Sequence, residues 1–152
     1  MNCREKSVMF LATGCFVGNM PVAPGTFGSL LGLPLCFFLS GIDLPAAILL
    51  SVLFMLFAIW IAHAAEKILM EKDPGCIVID EIAGILVVFL GLPYNIFTVI
   101  AGFVIFRMFD ILKPFPIRFL EIKLPGGAGI VMDDILAGIY SNLVLRALLL
   151  FY

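Results

Sequence analysis

The chain has 152 residues, of which 63% are hydrophobic and only 13% are charged, and its formal net charge is −2. Its mean hydropathy is +1.20. Soluble domains are closer to half apolar and a quarter charged, so this composition predicts an integral membrane protein, and the slight negative charge gives no indication of nucleic-acid binding.

Three long stretches, residues 7–42, 44–65 and 82–106, contain no Asp, Glu, Lys or Arg. A helix needs about 20 apolar residues to cross the hydrocarbon core of a membrane, and residues 44–65 meet that requirement alone. Arg4 and Lys6 before the first stretch resemble the start of a signal peptide, but no small-residue cleavage site follows and several apolar runs come later. We therefore expect the chain to remain embedded in the membrane.

The predicted elements begin with a short apolar helix over residues 8–17, about half a bilayer long, which is expected to be interfacial or half inserted. Prolines and a glycine then break the backbone, and Thr26 is predicted as the N-cap of the next helix. The sequence thus predicts a single all-α domain over residues 1–152. It is a polytopic bundle of about five spanning helices, at residues 27–40, 44–65, 76–92, 96–112 and 130–152.

The basic residues predict the orientation of the bundle. If the spans alternate in direction, the loop at residues 21–26 and the polar stretches 66–75 and 113–129 share one side of the membrane. The opposite turns, near Asp43 and Pro93, contain no Lys or Arg. The positive-inside rule therefore makes the first side the cytoplasm. The basic residues on that side are Lys67, Lys72, Lys113, Arg118 and Lys123.

The same arrangement brings most acidic side chains to the cytoplasmic ends of three helices. Ionisable groups at membrane depth need a partner or a function, and several carboxylates brought together repel one another, so a bound cation is the simplest compensation. The four cysteines show no metal-binding spacing and there is one histidine, so oxygen ligands and Mg²⁺ are favoured. The candidate metal ligands are Asp80, Glu81, Asp110, Asp133 and Asp134.

Groups suited to binding phosphate lie beside these acids. Arginine provides paired hydrogen bonds and lysine a compact charge, and glycine-rich segments at 24–29 and 125–129 offer backbone N–H groups at helix starts. A metal among carboxylates, flanked by such donors, describes a phosphoryl-transfer site. The candidate substrate-binding residues are Thr26, Ser29, Arg107, Lys113, Arg118 and Gly127.

The catalytic candidates also have simpler structural interpretations. His63 could protonate a leaving alkoxide or orient water, but a single histidine at a span end is also typical of an interfacial residue. Acids in a first helical turn can serve as caps, Thr26 and Ser29 can do the same, and an arginine–aspartate pair can lock two helices. The candidate catalytic residues are Asp80, Glu81, Arg107, Asp110, Asp134 and His63.

Four ordered motifs between residues 20 and 141 resemble the phosphatidylglycerophosphatase A family. They are Pro24-Gly25-Thr26-x-Gly28-Ser29, Ile79-Asp80-Glu81-Ile82-x-Gly84, Phe106-Arg107-x-x-Asp110-x-x-Lys113-Pro114-x-Pro116-Ile117, and Gly126-Gly127-x-Gly129-Ile130-x-x-Asp133-Asp134-x-x-Ala137-Gly138. The resemblance implies Mg²⁺-dependent removal of the terminal phosphate from phosphatidylglycerophosphate, giving phosphatidylglycerol. It also implies a bacterial inner membrane, with the active site at the cytoplasmic face.

Two alternative functions remain open from the residues alone. A CDP-alcohol phosphotransferase would use similar carboxylates and magnesium, but its Asp-Gly motif is not met, because Glu81 follows Asp80. A small cation or proton transporter would place its acids near the middle of the membrane, with access from both sides. For the phosphatase, attack by water and an aspartyl-phosphate intermediate are both compatible with the residues.

Overall fold

The computed structural model describes residues 1–151, and within that range it contains α-helices and no β-strand, which confirms the all-α prediction. A 3-10 turn at Val17–Asn19 follows the first helix. The described helices are α1 (Cys3–Ala12), α2 (Pro24–Ser40), α3 (Leu44–Leu69), α4 (Ile79–Val88), α5 (Ile96–Leu112), α6 (Ile117–Lys123) and α7 (Gly127–Leu149).

Several predicted boundaries are wrong. The first helix spans Cys3–Ala12 instead of residues 8–17, and α4 spans Ile79–Val88 instead of residues 76–92. Helix α2 begins at Pro24 with Ala23 as its N-cap, so Thr26 lies inside the first turn and is not the cap. Proline suits this place because its fixed φ is already helical and its missing N–H would have no partner there. Helix α7 begins at Gly127, three residues before the predicted start, and the predicted final residue of that span, Tyr152, lies outside the described residues.

The helices differ in their ability to cross a membrane. By length and composition, α3 with 26 residues and α7 with 23 residues are long and apolar enough to span. Helix α2 is apolar but has 17 residues, and α4 has only 10. At 1.5 Å per residue, α4 covers about half of a hydrocarbon core about 30 Å thick. The structure therefore supports two candidate spans among the described helices.

Helix α4 lies at the centre of the bundle, where it packs against α2, α3 and α7. Its crossing with α7 is close because glycines face each other: a Cβ added at Gly138 would lie 2.4 Å from the carbonyl oxygen of Gly84, and one added at Gly84 would lie 2.7 Å from that of Asp134. No larger side chain fits at either place without a backbone shift. The contact holds the acidic start of α4 beside the acidic start of α7.

The short α4 ends inside the bundle, and side chains from α7 satisfy its last carbonyls. Asn142 Nδ2 donates to the carbonyl oxygens of Val88 at 2.8 Å and Leu90 at 3.0 Å, and Arg146 Nη2 donates to that of Leu90 at 2.9 Å. A helix end that is buried without such partners destabilises the fold, because its carbonyl groups give up hydrogen bonds to water and gain none in the protein. No sequence motif around Asn142 or Arg146 indicates this role.

Polar and apolar side chains are distributed as expected for a protein in contact with lipid. Large apolar residues such as Phe38, Leu49 and Ile100 are exposed, whereas Ser29 and Ser141 are fully buried. Soluble proteins rarely expose contiguous apolar surface on this scale. The polar interior also holds the acidic and basic residues that the sequence predicted to meet.

Candidate active site

The first cluster is built around Arg107 and joins α2, α4 and α5. Arg107 Nη1 donates to Glu81 Oε2 and to Asp110 Oδ2, the latter at 2.6 Å, and lies 3.5 Å from Ser29 Oγ. Ser29 Oγ lies 2.8 Å from Glu81 Oε2. Charge-assisted hydrogen bonds of this kind are the stronger ones in proteins. Four residues that the sequence predicted to share a site are therefore in direct contact.

Gly25 explains part of the glycine-rich motif at the start of α2. A Cβ at this position would lie 1.8 Å from Glu81 Oε1, so a larger residue here would displace the carboxylate from its present position. Ser29, one turn later, also lies 2.8 Å from the carbonyl oxygen of Gly25. The motif thus fixes the position of Glu81, and through it that of Arg107.

The second cluster is built around Lys113, the residue that ends α5. Its Nζ lies 2.6 Å from Asp133 Oδ2 and 3.0 Å from Glu121 Oε1. Burial alone would lower the pKa of Lys113, but the hydrogen bonds and negative charges of Asp133 and Glu121 outweigh it and raise the pKa above the ordinary value. Lys113 therefore stays charged over the whole physiological range. Asp133 Oδ1 in turn accepts a hydrogen bond from the backbone N–H of Asp134 at 3.0 Å.

Two of the predicted carboxylates are not neutralised by a cation. Asp80 Oδ1 is buried and has no hydrogen-bond partner, and the side chain of Asp134 forms no ion pair among residues 1–151. Their helices approach at Gly84, one turn after Asp80, where a Cβ would lie 2.7 Å from the carbonyl oxygen of Asp134. Arg107 Nε is likewise buried without a partner. The site therefore contains carboxylates without a cation partner and one guanidinium N–H, that of Arg107 Nε, without an acceptor.

The described residues contain no group of three or more His, Cys, Asp or Glu side chains close enough to form a complete metal cage. Cations already engage three of the five predicted metal ligands: Arg107 binds Glu81 and Asp110, and Lys113 binds Asp133. Mg²⁺ is often held by only one or two carboxylates together with phosphate and water, so a Mg²⁺ site does not require a cage of three such residues. The metal role of each carboxylate remains a prediction.

Other predicted site residues lie outside these clusters. His63 Nδ1 lies 3.9 Å from Glu66 Oε2 and makes no hydrogen bond or ion pair with the acids of the clusters. Gly127 packs against α3, since a Cβ there would lie 2.3 Å from the carbonyl oxygen of Ile59. Thr26 makes no side-chain hydrogen bond within residues 1–151. Their roles in catalysis or binding remain predictions.

Arg118 lines an open cleft between α6, the start of α7 and the loop that follows α3. Lys72 and Asp73 from that loop and Glu121 from α6 also line it. Because Glu121 contacts Lys113, the cleft adjoins the second cluster. Glu121 was not among the residues predicted for the site. The one feature of the sequence that could have indicated it is an acid within the otherwise basic polar stretch 113–129.

A family model described as phosphatidylglycerophosphatase A matches residues 10–149, which include every helix that contributes to the two clusters. The chain belongs to the phosphatidylglycerophosphatase A family. Within this family it is 38% identical over 132 residues to a phosphatidylglycerophosphatase A of Escherichia coli, covering 86% of this chain and 77% of that protein. It is 37% identical over 143 residues to one of Haemophilus influenzae, covering 93% of this chain and 88% of the relative.

A third relative has a different name. A Bacteroides thetaiotaomicron protein with a provisional name as a phosphatidylinositol-3-phosphatase is 39% identical over 145 residues, with 90% of both chains covered. No solved structure matches the chain. The phosphatidylglycerophosphatase A resemblance of the four motifs is thus confirmed at the level of the family.

Proposed function

We propose that the protein hydrolyses the terminal phosphomonoester of phosphatidylglycerophosphate, releasing inorganic phosphate and phosphatidylglycerol in phospholipid biosynthesis. Membership of the phosphatidylglycerophosphatase A family supports the reaction. The site is assigned from two buried polar atoms that have no hydrogen-bond partner: the acceptor Asp80 Oδ1 and the donor Arg107 Nε. The first is suited to a cation and the second to a phosphate oxygen.

Mg²⁺ fits the donor set of this site. Asp80 and Asp134 offer carboxylate oxygens that no side-chain cation neutralises, and the neighbouring acids are also oxygen donors. Asp80 and Asp134 would hold the ion together with oxygens of the substrate phosphate and water. When bound, Mg²⁺ supplies charge neutralisation of the phosphate and lowers the pKa of water.

The other residues of the two clusters position these groups. Glu81, Asp110 and Ser29 hold one edge of the Arg107 guanidinium, which leaves Nε for a phosphate oxygen. A donor fixed in this way needs little rearrangement as charge develops in the transition state. Lys113 holds Asp133, whose carboxylate binds the backbone N–H of Asp134 and so orients the adjoining acid.

The proposal places the protein in the bacterial cytoplasmic membrane with the site at the cytoplasmic face. The candidate spans α3 and α7 support this location. We propose that α2 and α5, with 17 residues each, also cross, and that the irregular segments at both ends of the short α4 complete its crossing. Irregular backbone is tolerated at membrane depth when protein surrounds it, as it does α4. The substrate's acyl chains then stay in lipid while its phosphates reach the clusters.

Phosphate release from phosphatidylglycerophosphate in detergent micelles tests the proposal, with Mg²⁺ or EDTA present. Wild type is expected to release phosphate only with Mg²⁺, and folded Asp80→Asn is expected to release almost none. Phosphatidylinositol 3-phosphate in a parallel assay measures the preference between headgroups. No release from phosphatidylglycerophosphate by folded wild type with Mg²⁺ would reject the proposed reaction.

A further inference from the structure

Helix α6 presents two contrasting faces. Ile117 is fully buried and Glu121, four residues later, reaches Lys113, so these two residues lie on the inner face. Phe119 and Ile122, three residues apart, are 46% and 69% exposed and form the outer face, and Ile122 and Arg118 lie at the edge of this face that also lines the open cleft. Phe115, just before the helix, is 81% exposed. The sequence predicted only a polar stretch here, because the helix is too short for its periodicity to stand out.

Basic residues flank this outward apolar face on both sides. At 100° per residue, Arg118 falls beside Ile122, and Lys123 falls beside Phe119. Lys123 Nζ lies 4.5 Å from the centre of the Phe119 ring, and neither cation forms an ion pair within residues 1–151. The acid of this helix, Glu121, points inward. The outer face is therefore apolar at its centre and positive at its edges.

We propose that α6 is a membrane-surface helix that docks on the headgroup region of an anionic phospholipid leaflet. Phe115, Phe119 and Ile122 enter the boundary between headgroups and acyl chains, and Arg118 and Lys123 contact acidic headgroups. Ile111 and Leu112 at the end of α5, a few residues before Phe115, are exposed as well. This arrangement favours a lipid surface over a soluble protein partner, because cations along both edges of an apolar face are typical of interfacial helices.

The docked helix reaches the proposed active site through a continuous series of contacts. Glu121 Oε1 lies 3.0 Å from Lys113 Nζ, which lies 2.6 Å from Asp133 Oδ2. Asp133 in turn contacts the backbone of Asp134. The leaflet surface thus fixes the position of α6 along the membrane normal. Helix α6 in turn contributes Glu121, one of the two carboxylates that hold Lys113. This inference rests on the proposed membrane location and not on the proposed activity.

Fluorescence quenching by brominated lipids tests the docking without any turnover. Trp60 is the only tryptophan of the chain, so Trp60→Phe provides a background for Phe119→Trp and, as a water-exposed control, Glu71→Trp. In vesicles of phosphatidylcholine and phosphatidylglycerol, we expect residue 119 to be quenched at roughly half or more of the extent seen for wild-type Trp60, and residue 71 to be quenched by aqueous acrylamide instead.

Each other outcome overturns the inference. Acrylamide quenching of residue 119 equal to that of residue 71 places α6 in water, and protection from both quenchers places it against protein. If wild-type Trp60 is also not quenched by lipid, the proposed membrane location fails with it. Adding Lys123→Gln is expected to lower the lipid quenching of residue 119 when phosphatidylglycerol is present and not in phosphatidylcholine alone; an equal effect in both overturns the preference for anionic lipid.

Discussion

Ser29 Oγ lies 2.8 Å from Glu81 Oε2, a contact that joins α2 to α4 across 52 positions of sequence. The same carboxylate oxygen binds Arg107 on α5. One oxygen of Glu81 thus links three helices, and Gly25 closes against the other oxygen. This arrangement shows that Glu81 holds the arginine in place, and its predicted metal ligation stays a prediction.

Glu81→Gln is expected to lower kcat about tenfold, because loss of the charged hydrogen bond loosens Arg107. The Mg²⁺ concentration for half-maximal rate is expected to stay the same. Initial rates over a Mg²⁺ titration measure both quantities. A shift of the Mg²⁺ midpoint as large as that of an Asp80 variant would instead make Glu81 a metal ligand.

Asp80→Asn and Asp134→Asn are each expected to lower the Mg²⁺-dependent rate more than about 100-fold, since loss of a direct ligand exceeds the usual effect of losing an outer partner. The matched control is Asp43→Asn, where the acid caps α3 by accepting a hydrogen bond from Ala46 N at 3.2 Å, and asparagine caps equally well. Near-normal rates in either test variant would remove that residue from the metal site.

Arg107→Lys is expected to lower kcat/KM about 100-fold although the charge is kept, because an ammonium cannot contact Glu81, Asp110 and a phosphate oxygen with fixed geometry. Kinetics with phosphatidylglycerophosphate measure the loss, and Lys67→Arg on the outer surface of α3 serves as the control. Full activity with lysine would show that charge alone is needed at this position.

Gly138→Ala is expected to reduce the free energy of unfolding by about 1–3 kcal/mol, because its Cβ would meet the carbonyl oxygen of Gly84 at 2.4 Å. Gly75→Ala is the control, since a Cβ there meets nothing within 4 Å. Thermal unfolding in detergent compares the two. Equal stability of both variants would mean that α4 and α7 can separate slightly at no cost.

The Lys113 contacts predict a stability change at alkaline pH. A cation whose pKa is raised by folding stabilises the fold fully below its ordinary pKa of 10.5, and this contribution is lost as the pH rises through the higher folded value. The thermal stability of wild type relative to Lys113→Gln is therefore expected to be constant from about pH 7 to pH 9 and to shrink only above pH 10.5. A difference that vanished near neutral pH would show that Lys113 is not held as described.

The sequence could predict much of the fold and the composition of the site. Helices near residues 44–65 and 96–112 follow from local hydropathy, and α3 and α5 include these ranges. The pairing of Arg107 with Asp110 follows from their helical spacing. The irregular ends of α4 could not be predicted, because they depend on hydrogen bonds from Asn142 and Arg146 more than 50 residues away.

By itself, the sequence determined the apolar character of the chain, its all-α class, and the gathering of acids and bases near helix ends, since hydropathy and spacing act over one or two turns. Only the tertiary structure decided which carboxylates have a cation partner from another part of the fold. Glu81 and Asp133 have one and Asp80 has none, because these pairs require atoms distant in sequence to approach within 4 Å, unlike the Arg107–Asp110 pair within α5. Such an approach depends on how closely the helices pack, as at Gly84 of α4, where a Cβ would lie 2.7 Å from Phe106 Cζ of α5, and hydropathy does not specify it.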